Sequence, residues 1–206
     1  IDNNMNNISI AYNSHINIDT YTNNIGTTES GIGPTYSDKY LRIGKRVQDY
    51  KDKDNKFCGC NVIDTIDVLS KYQNILFEGA QGFYLDIDHG DYPYVTSSSC
   101  MASNAFSMGV PVHTVNNIYG VAKIYDTYLG AKEFQPNDEI FNKLGELGEE
   151  LDITTGRKRQ CNWLNIEKLE KAAYVNSITH LIINKCDILE KLEVYKIISN
   201  GKIYEF

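Results

Sequence analysis

The chain has 206 residues, of which 42% are hydrophobic, and its formal net charge is −7. These values predict a globular protein with its own core and argue against a nucleic-acid-binding protein, which usually carries a basic surface. No apolar run approaches the roughly 18 residues of a membrane helix, and residues 1–7 lack the order of a signal peptide. Five scattered cysteines without a Cys-x-x-Cys pair are typical of reduced thiols, so we expect a cytoplasmic protein.

The first motif in chain order is a glycine-rich segment, residues 26–34, with the sequence GTTESGIGP. Glycines let backbone amides approach an anion closely, and the two threonines add hydroxyl donors, so the segment is suited to holding a phosphate. It is not a P-loop, because no Gly-Lys-Ser/Thr follows at the required spacing. A glycine-rich surface turn is the alternative interpretation.

Two short apolar runs, residues 74–77 and 180–183, each lead into polar residues. This pattern is typical of a buried strand in a parallel sheet, with a ligand site at the carboxyl end of the strand. Apolar residues at helical spacing predict helices over residues 138–151 and 164–175. Strands that alternate with helices place the chain in the α/β class.

Polar side chains follow the first apolar run. Gln81 stands in a glycine-containing turn, where its amide could pair with the carbonyl and ring N–H of a purine, and residues 96–99 are four hydroxyl residues suited to a phosphate. Asp86, Asp88 and His89 resemble a metal cluster by composition. We interpret them as structural, because alternate side chains of an extended segment point to opposite faces and do not share one ion.

Residues 154–159, with the sequence TTGRKR, place three cations and two hydroxyls around a glycine. Arginine offers planar, bidentate hydrogen bonds to carboxylates and phosphates. We therefore predict an anion-binding loop that is extended or poorly ordered without its ligand. A solvated basic turn is the alternative interpretation.

Residues 184–187, Asn-Lys-Cys-Asp, come directly after the second apolar run. In such a turn the Asp carboxylate accepts hydrogen bonds from the ring N–H and the exocyclic amine of guanine, while the Lys stem packs over the base. Adenine lacks this pair of donors, so the carboxylate discriminates between the two bases. A polar turn that ends a strand is the alternative interpretation.

In combination, these motifs resemble the adenylosuccinate synthetase family. The resemblance runs from about residue 8 to residue 198 and includes the segments at 26–34, 77–98, 154–164 and 184–187. It implies an α/β fold similar to that of P-loop GTPases, with a mostly parallel central sheet flanked by helices, in one partial domain over residues 1–206. It also implies a homodimeric ligase of AMP biosynthesis that makes adenylosuccinate from IMP, L-aspartate and GTP with Mg²⁺.

The resemblance assigns binding roles residue by residue. The IMP-binding residues are Thr28, Arg42, Gln81, Thr96 and Arg157, and Arg42 is the one that reaches into the partner subunit's site. The aspartate-binding residues are Ile153, Thr154, Thr155, Gly156, Arg157, Lys158 and Arg159. The GTP-binding residues are Arg159, Lys185, Cys186 and Asp187.

The chain departs from the family pattern in ways that bear on activity. The family's GDEGKGK segment supplies the catalytic Asp and a magnesium ligand, and neither this segment nor the catalytic His after it has a counterpart in the sequence. The segment that completes the guanine pocket is also missing. We therefore expect no catalytic residue and no metal ligand in this chain, and no turnover by the chain alone. Glu29 and Ser30 replace a glycine-basic pair, and residues 101–104 replace a threonine and glycine stretch.

Three interpretations of the chain stay open. It is a fragment or one part of a split synthetase, a non-catalytic purine-nucleotide-binding relic or regulatory subunit, or an unrelated small GTPase with an Asn-Lys-x-Asp turn. The missing P-loop counts against the third. A GDEGKGK-like run encoded in frame upstream of Ile1 would indicate the first, and a stop followed by an independent start would favour the second.

Overall fold

The computed structural model describes residues 25–27, 31–153 and 155–206. They form two compact units: unit 1 contains residues 31–114, and unit 2 contains residues 25–27 and 115–206. The single domain predicted for residues 1–206 stays a prediction. No helix within the described ranges is both long enough and apolar enough to cross a membrane.

Unit 1 consists mainly of loops and short helices. Its elements are helix α1 (Ile32–Leu41), a 3-10 turn (Val47–Asp49), strands β1 (Lys56–Phe57) and β2 (Cys60–Asn61), helix α2 (Thr65–Leu69), a 3-10 turn (Phe83–Leu85), helix α3 (Asn104–Ser107) and a 3-10 turn (Val112–Thr114). Gly31 precedes α1 with a φ of 74°, a left-handed conformation that favours glycine. The glycine-rich segment therefore enters this helix through a turn that requires one of its glycines.

The strand predicted at residues 74–77 is absent. The segment forms no regular structure, and Leu76 is 80% exposed. An apolar run becomes a buried strand only where neighbouring strands pair with it and other elements cover its faces. Among the described residues of unit 1, the only strand pair is β1 with β2, so this run has no strand to pair with and the prediction is wrong.

Unit 2 alternates strands with helices. Its strands are β3 (Tyr119–Lys123), β4 (Tyr125–Tyr128), β5 (Gln160–Asn165), β6 (His180–Asn184), β7 (Lys196–Ser199) and β8 (Lys202–Glu205). Its helices are α4 (Glu139–Leu147), α5 (Ile166–Val175) and α6 (Cys186–Leu192). This order confirms the α/β class, and β6 confirms a strand at residues 180–183. The strand is not buried as predicted, because Leu181 and Ile182 are exposed.

The strands of unit 2 pair in two sheets. β3 and β6 are parallel, with Lys123 opposite Asn184 at their carboxyl ends. In the other sheet the order is β4–β5–β7–β8, in which β5 and β7 are parallel and the two outer pairs are antiparallel. Only Ile124 separates β3 from β4, so one nearly continuous segment contributes a strand to each sheet.

Helix α4 matches the core of the predicted helix over residues 138–151 but ends earlier. It begins at Asp138, whose carboxylate accepts a hydrogen bond from Ile140 N at 3.1 Å, and it buries Phe141 as the helical spacing predicts. It ends at Gly148, where a Cβ would collide with the Tyr125 hydroxyl. A glycine is needed at this close approach, and the chain turns away from the helix there.

Helix α5 begins two residues later than the predicted start at residue 164. Leu164 belongs to β5, where it is buried and pairs with Ile197. Asn165 then caps the helix, because its side-chain oxygen accepts a hydrogen bond from Lys168 N at 2.9 Å. The apolar pattern is continuous through this junction, so it does not mark the change from strand to helix.

The hydrophobic core that the structure describes lies in unit 2. Its buried members are Tyr125, Phe141, Leu144, Cys161, Trp163, Ile188, Leu189 and Leu192. They come from β4, β5, α4 and α6, so the core fixes the ends of these four elements relative to one another. The polar segments that follow α4 and β6 are held on this core.

Candidate functional site

In the basic loop of unit 2, the described residues 152–153 and 155–159 form a tight turn. The backbone oxygen of Asp152 accepts a hydrogen bond from Gly156 N at 2.7 Å, and the carboxylate of Asp152 accepts two from Thr155, at 2.8 Å from N and 2.7 Å from Oγ1. The bonds from Thr155 lower the pKa of Asp152. We expected the loop to be extended or poorly ordered without its ligand; its described part is folded back rather than extended, and Thr154 lies outside the described residues.

Arg157 connects this loop to the glycine-rich segment. Its Nη1 and Nη2 donate hydrogen bonds to Gly26 O at 3.1 Å each, and Nη2 also donates to Thr27 O at 3.3 Å. A Cβ at Gly26 would lie 2.6 Å from Ala131 N, so only glycine fits this contact. Two motifs separated by 131 positions in the sequence thus meet through one guanidinium group. Thr28, the predicted IMP contact, lies outside the described residues.

A buried carboxylate, Glu150, lies at the base of the basic loop. Its Oε2 accepts hydrogen bonds from Lys123 Nζ at 2.6 Å and Arg159 Nη1 at 3.3 Å, and its Oε1 accepts one from Tyr125 OH at 2.7 Å. Burial opposes ionisation, but the hydrogen bonds from Lys123 and Tyr125 outweigh it and lower the pKa of Glu150. Burial and the contact with Glu150 raise the pKa of the Tyr125 hydroxyl. Glu150 is therefore an anion that compensates the two cations.

The Asn-Lys-Cys-Asp segment starts at Asn184, the last residue of β6, and its last two residues begin helix α6. Lys185 has a φ of 60°, and its Nζ donates a hydrogen bond to Gly148 O at 2.8 Å. Asp187 is exposed, and its Oδ2 accepts a hydrogen bond from Lys191 Nζ at 2.9 Å, which lowers the pKa of Asp187. Cys186 is also exposed. The lysine of the turn is thus fixed on the end of α4, whereas its carboxylate faces solvent.

The remaining predicted IMP-binding residues lie in unit 1. Arg42 ends α1 with a φ of 63°, and its side chain is exposed. Gln81 is exposed with a φ of 67°, whereas Thr96 is half-buried and donates its backbone N–H to Leu85 O at 2.8 Å. The roles of these three residues stay predictions.

Asp86 organises a loop of unit 1. It is 1% exposed, and its carboxylate accepts hydrogen bonds from Asp88 N and His89 N at 3.0 Å each and from Cys100 N at 2.6 Å. Burial opposes ionisation, but these bonds lower the pKa of Asp86. The contacts support the structural interpretation of this residue. In the part of the chain that the structure describes, no group of three or more His, Cys, Asp or Glu residues is arranged to hold a metal ion.

Unit 2 is an α/β unit in which Arg157 links the basic loop to the glycine-rich segment. Comparison with known proteins gives the family. The sequence model of the adenylosuccinate synthetase family matches residues 5–59 and 55–204. The chain belongs to the adenylosuccinate synthetase family. The adenylosuccinate synthetase of Acetivibrio thermocellus is 38% identical, and the match covers 85% of this chain and 52% of the relative. That of a Picosynechococcus species is 39% identical, with coverages of 84% and 49%.

The solved structures agree with this assignment. Fully ligated adenylosuccinate synthetase from Plasmodium falciparum matches with a TM-score of 0.77 and 31% identity, over 87% of this chain and 54% of that one. The succinoaminodeoxyadenylate synthetase of cyanophage S-2L, bound to dGMP and dATP, matches with a TM-score of 0.59 and 20% identity over 88% and 62%. The second likeness concerns the fold alone. The chain spans about half the length of the curated relatives it matches.

The matched part of this chain is shorter than the matched part of the relatives. The match with the Acetivibrio relative is 220 residues long but contains 85% of the 206 residues, about 175, so about 45 matched positions have no counterpart in this chain. The two matches to the family model overlap at residues 55–59.

Sequence reasoning missed the residues that hold the binding segments in place. Glu150 and Lys123 were not predicted, although Glu150 stands just before a segment with three cations, which is a place where a compensating carboxylate is expected. Gly148 was not predicted either, because its role depends on the approach of the Tyr125 hydroxyl and the Lys185 ammonium. No local pattern in the sequence carries that information.

Proposed function

We propose that the chain is the part of an adenylosuccinate synthetase that binds GTP, L-aspartate and IMP. The observation that carries the proposal is the convergence in unit 2 of the basic loop, the guanine-reading turn and the start of the glycine-rich segment. Arg157 joins the basic loop to Gly26 of the glycine-rich segment, and Lys185 joins the guanine-reading turn to Gly148, two residues before Glu150. Donors for phosphate and carboxylate groups and an acceptor for a purine base thus belong to one unit.

The proposed reaction transfers the terminal phosphoryl group of GTP to the 6-oxygen of IMP, and the aspartate amine then displaces phosphate to give adenylosuccinate, GDP and phosphate. Arg157 binds the IMP ribose, and residues 153–159 bind the aspartate carboxylates through charge-assisted hydrogen bonds. Arg159 also faces GTP. The chain supplies binding groups to this reaction, and we assign it no catalytic residue.

The remaining assignments are part of the same proposal. Mg²⁺ would neutralise the nucleotide phosphates; the described residues offer no cluster of three acidic or imidazole ligands for it, so no step is assigned to the ion. Arg42 is proposed to enter the partner site of a homodimer, and its exposed position on unit 1 is compatible with that role. A cytoplasmic location stays a prediction.

Base choice follows from Asp187. Its carboxylate is exposed, and Lys191 is bonded to Oδ2 only. A carboxylate has about four acceptor positions on its two oxygens, so guanine has room to donate both of its N–H groups. An Asn at this position would turn one acceptor into a donor that faces the donors of the base.

The test compares GTP and ATP by titration calorimetry at one salt concentration. We expect the wild-type chain to bind GTP at least about tenfold more tightly than ATP, and Asp187→Asn to lose this preference. Lys191→Met is the matched control, because it breaks the ion pair but leaves the carboxylate, and it should keep the preference. Equal binding of the two nucleotides by the wild type, or an unchanged preference in Asp187→Asn, would reject the assignment.

A non-catalytic purine-nucleotide-binding protein is the second candidate. The observation that favours it is the shorter matched part of this chain, since about 45 positions of the match with the Acetivibrio relative have no counterpart in it. Both candidates share the nucleotide site, and turnover separates them. We expect the purified chain to form no measurable adenylosuccinate from IMP, GTP and aspartate with Mg²⁺. Formation of the product at a rate proportional to the chain concentration would show that the chain is itself a synthetase.

A further inference from the structure

Burying the charge of Glu150 costs free energy, so its position in the fold has to be explained. Its side chain is 2% exposed, and it meets one ammonium and one guanidinium group. Buried ion pairs contribute little net stability compared with apolar packing, because desolvation offsets their attraction. What such a cluster provides is geometry: both oxygens of Glu150 are engaged, so the carboxylate and its donors hold one another in fixed positions.

The first group that Glu150 fixes is Arg159. The guanidinium donates from Nη1 to Oε2 at 3.3 Å, and the backbone N–H of Arg159 donates to Glu150 O at 2.9 Å. Asp152 lies on the same side, with Oδ1 4.0 Å from Nη2. The Arg159 side chain remains 33% exposed. A guanidinium has five N–H donors in a planar fork, so the donors that Glu150 and Asp152 leave unused remain for a ligand.

Glu150 also belongs to a turn that touches the guanine-reading segment. Two residues before it, Gly148 O accepts the hydrogen bond from Lys185 Nζ at 2.8 Å. Its partner Lys123 is the last residue of β3 and lies opposite Asn184, the residue before Lys185. The carboxylate is therefore connected to Lys185 on two sides, once through its own backbone and once through the parallel strand pair.

We propose that Glu150 is a positioning residue, which aligns Arg159 of the basic loop with Lys185 of the guanine-reading turn for one bound nucleotide. This inference rests on the proposed function, because it assigns both residues to GTP. Without the charge of Glu150, the Arg159 fork loses its fixed orientation and Lys123 loses its anionic partner. The ligand must then order these groups on binding, which lowers its affinity.

The experiment is a titration of GTP against three variants of the full chain, with thermal melting of each. Glu150→Gln keeps the shape and removes the charge, and we expect GTP to bind about tenfold more weakly. Glu149→Gln is the matched control: it removes the same charge one position away on an exposed side chain and should bind GTP like the wild type. Arg159→Leu removes the group through which Glu150 acts.

The double variant separates positioning from a general structural role. If Glu150 acts through Arg159, Glu150→Gln costs clearly less GTP affinity in the Arg159→Leu background than in the wild type. Additive losses, or Glu150→Gln binding like the wild type, overturn the inference. Failure of the wild type to bind GTP overturns the proposed function instead.

A further variant covers the case in which Glu150→Gln does not fold. Arg159→Lys keeps the charge on a half-exposed side chain but loses the planar fork. It should weaken GTP binding while its melting temperature stays that of the wild type. Unchanged GTP binding in Arg159→Lys would overturn the inference by itself.

Discussion

The two units of the chain differ in how far their large apolar side chains are buried. In unit 2, apolar side chains of strands and helices meet in one buried cluster around Leu144 and Trp163. In the described part of unit 1, the buried residues are Asp38, Asp86 and Val110. Large apolar side chains of unit 1 are instead exposed, including Ile43, Ile63, Ile66, Tyr72 and Leu76. Apolar content alone therefore does not make a core; the segments that cover it must also be present.

A unit with few buried apolar side chains gains little hydrophobic stabilisation, because that stabilisation scales with the apolar area removed from water. We infer that unit 2 carries most of the stability of the chain and that unit 1 is held by a few polar contacts, chiefly those of Asp86.

The largest expected effect contrasts one leucine from each unit. Leu144 is fully buried in unit 2, so Leu144→Ala should reduce the free energy of unfolding by about 2–5 kcal/mol. Leu76 is 80% exposed in unit 1, so Leu76→Ala should change it by less than about 0.5 kcal/mol. Urea unfolding followed by the fluorescence of Trp163, the only tryptophan, measures both. Equal losses in the two variants would break the comparison.

A smaller effect is expected at the polar centre of unit 1. Asp86→Asn places an amide donor against one of the backbone N–H groups that now donate to the carboxylate. It should reduce the free energy of unfolding by about 1–3 kcal/mol. Hydrogen exchange by mass spectrometry should show faster exchange in residues 86–100 and no change in α4. Asp88→Asn is the control, since that side chain is exposed. Protection of residues 86–100 in Asp86→Asn equal to the wild type would show that another contact holds the loop.

The third expected effect depends on pH and belongs to unit 2. Burial raises the pKa of Asp126 to about 6, against the opposing effects of the Asn165 N–H and Lys168. Between the unfolded value of 3.8 and about 6, the folded state holds a proton that the unfolded state lacks. Stability from this group is therefore present at low pH and is lost as pH rises through 6.

Asp126→Asn removes this dependence. The variant should be more stable than the wild type by up to about 3 kcal/mol at pH 7.5, and the difference should vanish near pH 4. Thermal melting at the two pH values measures it, and each pH serves as a reference for the other. A variant that is less stable than the wild type at pH 7.5 would show that the ionised Asp126 is stabilising, contrary to the burial argument.

The sequence predicted those elements of unit 2 whose pattern repeats locally. Helical spacing predicted α4 and α5, and an apolar run predicted β6; α4 buries Phe141 and Leu144, and β6 pairs with β3. The same reasoning failed at residues 74–77, where the pattern is equally apolar but no strand pairs with it. Whether a pattern becomes structure depends on distant residues that the pattern does not contain.

One local signal in the sequence was readable and was not used. Asn200 and Gly201 separate β7 from β8 with φ values of 48° and 69°, and an Asn-Gly pair between two short strands is a strong sign of a hairpin. The site shows the opposite case. The three binding motifs were predicted individually, but their connection through Arg157, Glu150 and Lys185 could not be, since it joins residues far apart in the sequence.

The buried thiol of Cys161 offers a way to measure the opening of the core of unit 2. The residue belongs to β5 and is fully buried in the core, and burial raises the pKa of its thiol to about 11. Alkylating reagents attack the thiolate, so they reach Cys161 only when the core opens, whereas Cys58 and Cys186 are exposed and react directly. The rate at which Cys161 is labelled therefore reports the opening of the core of unit 2 without any engineered cysteine.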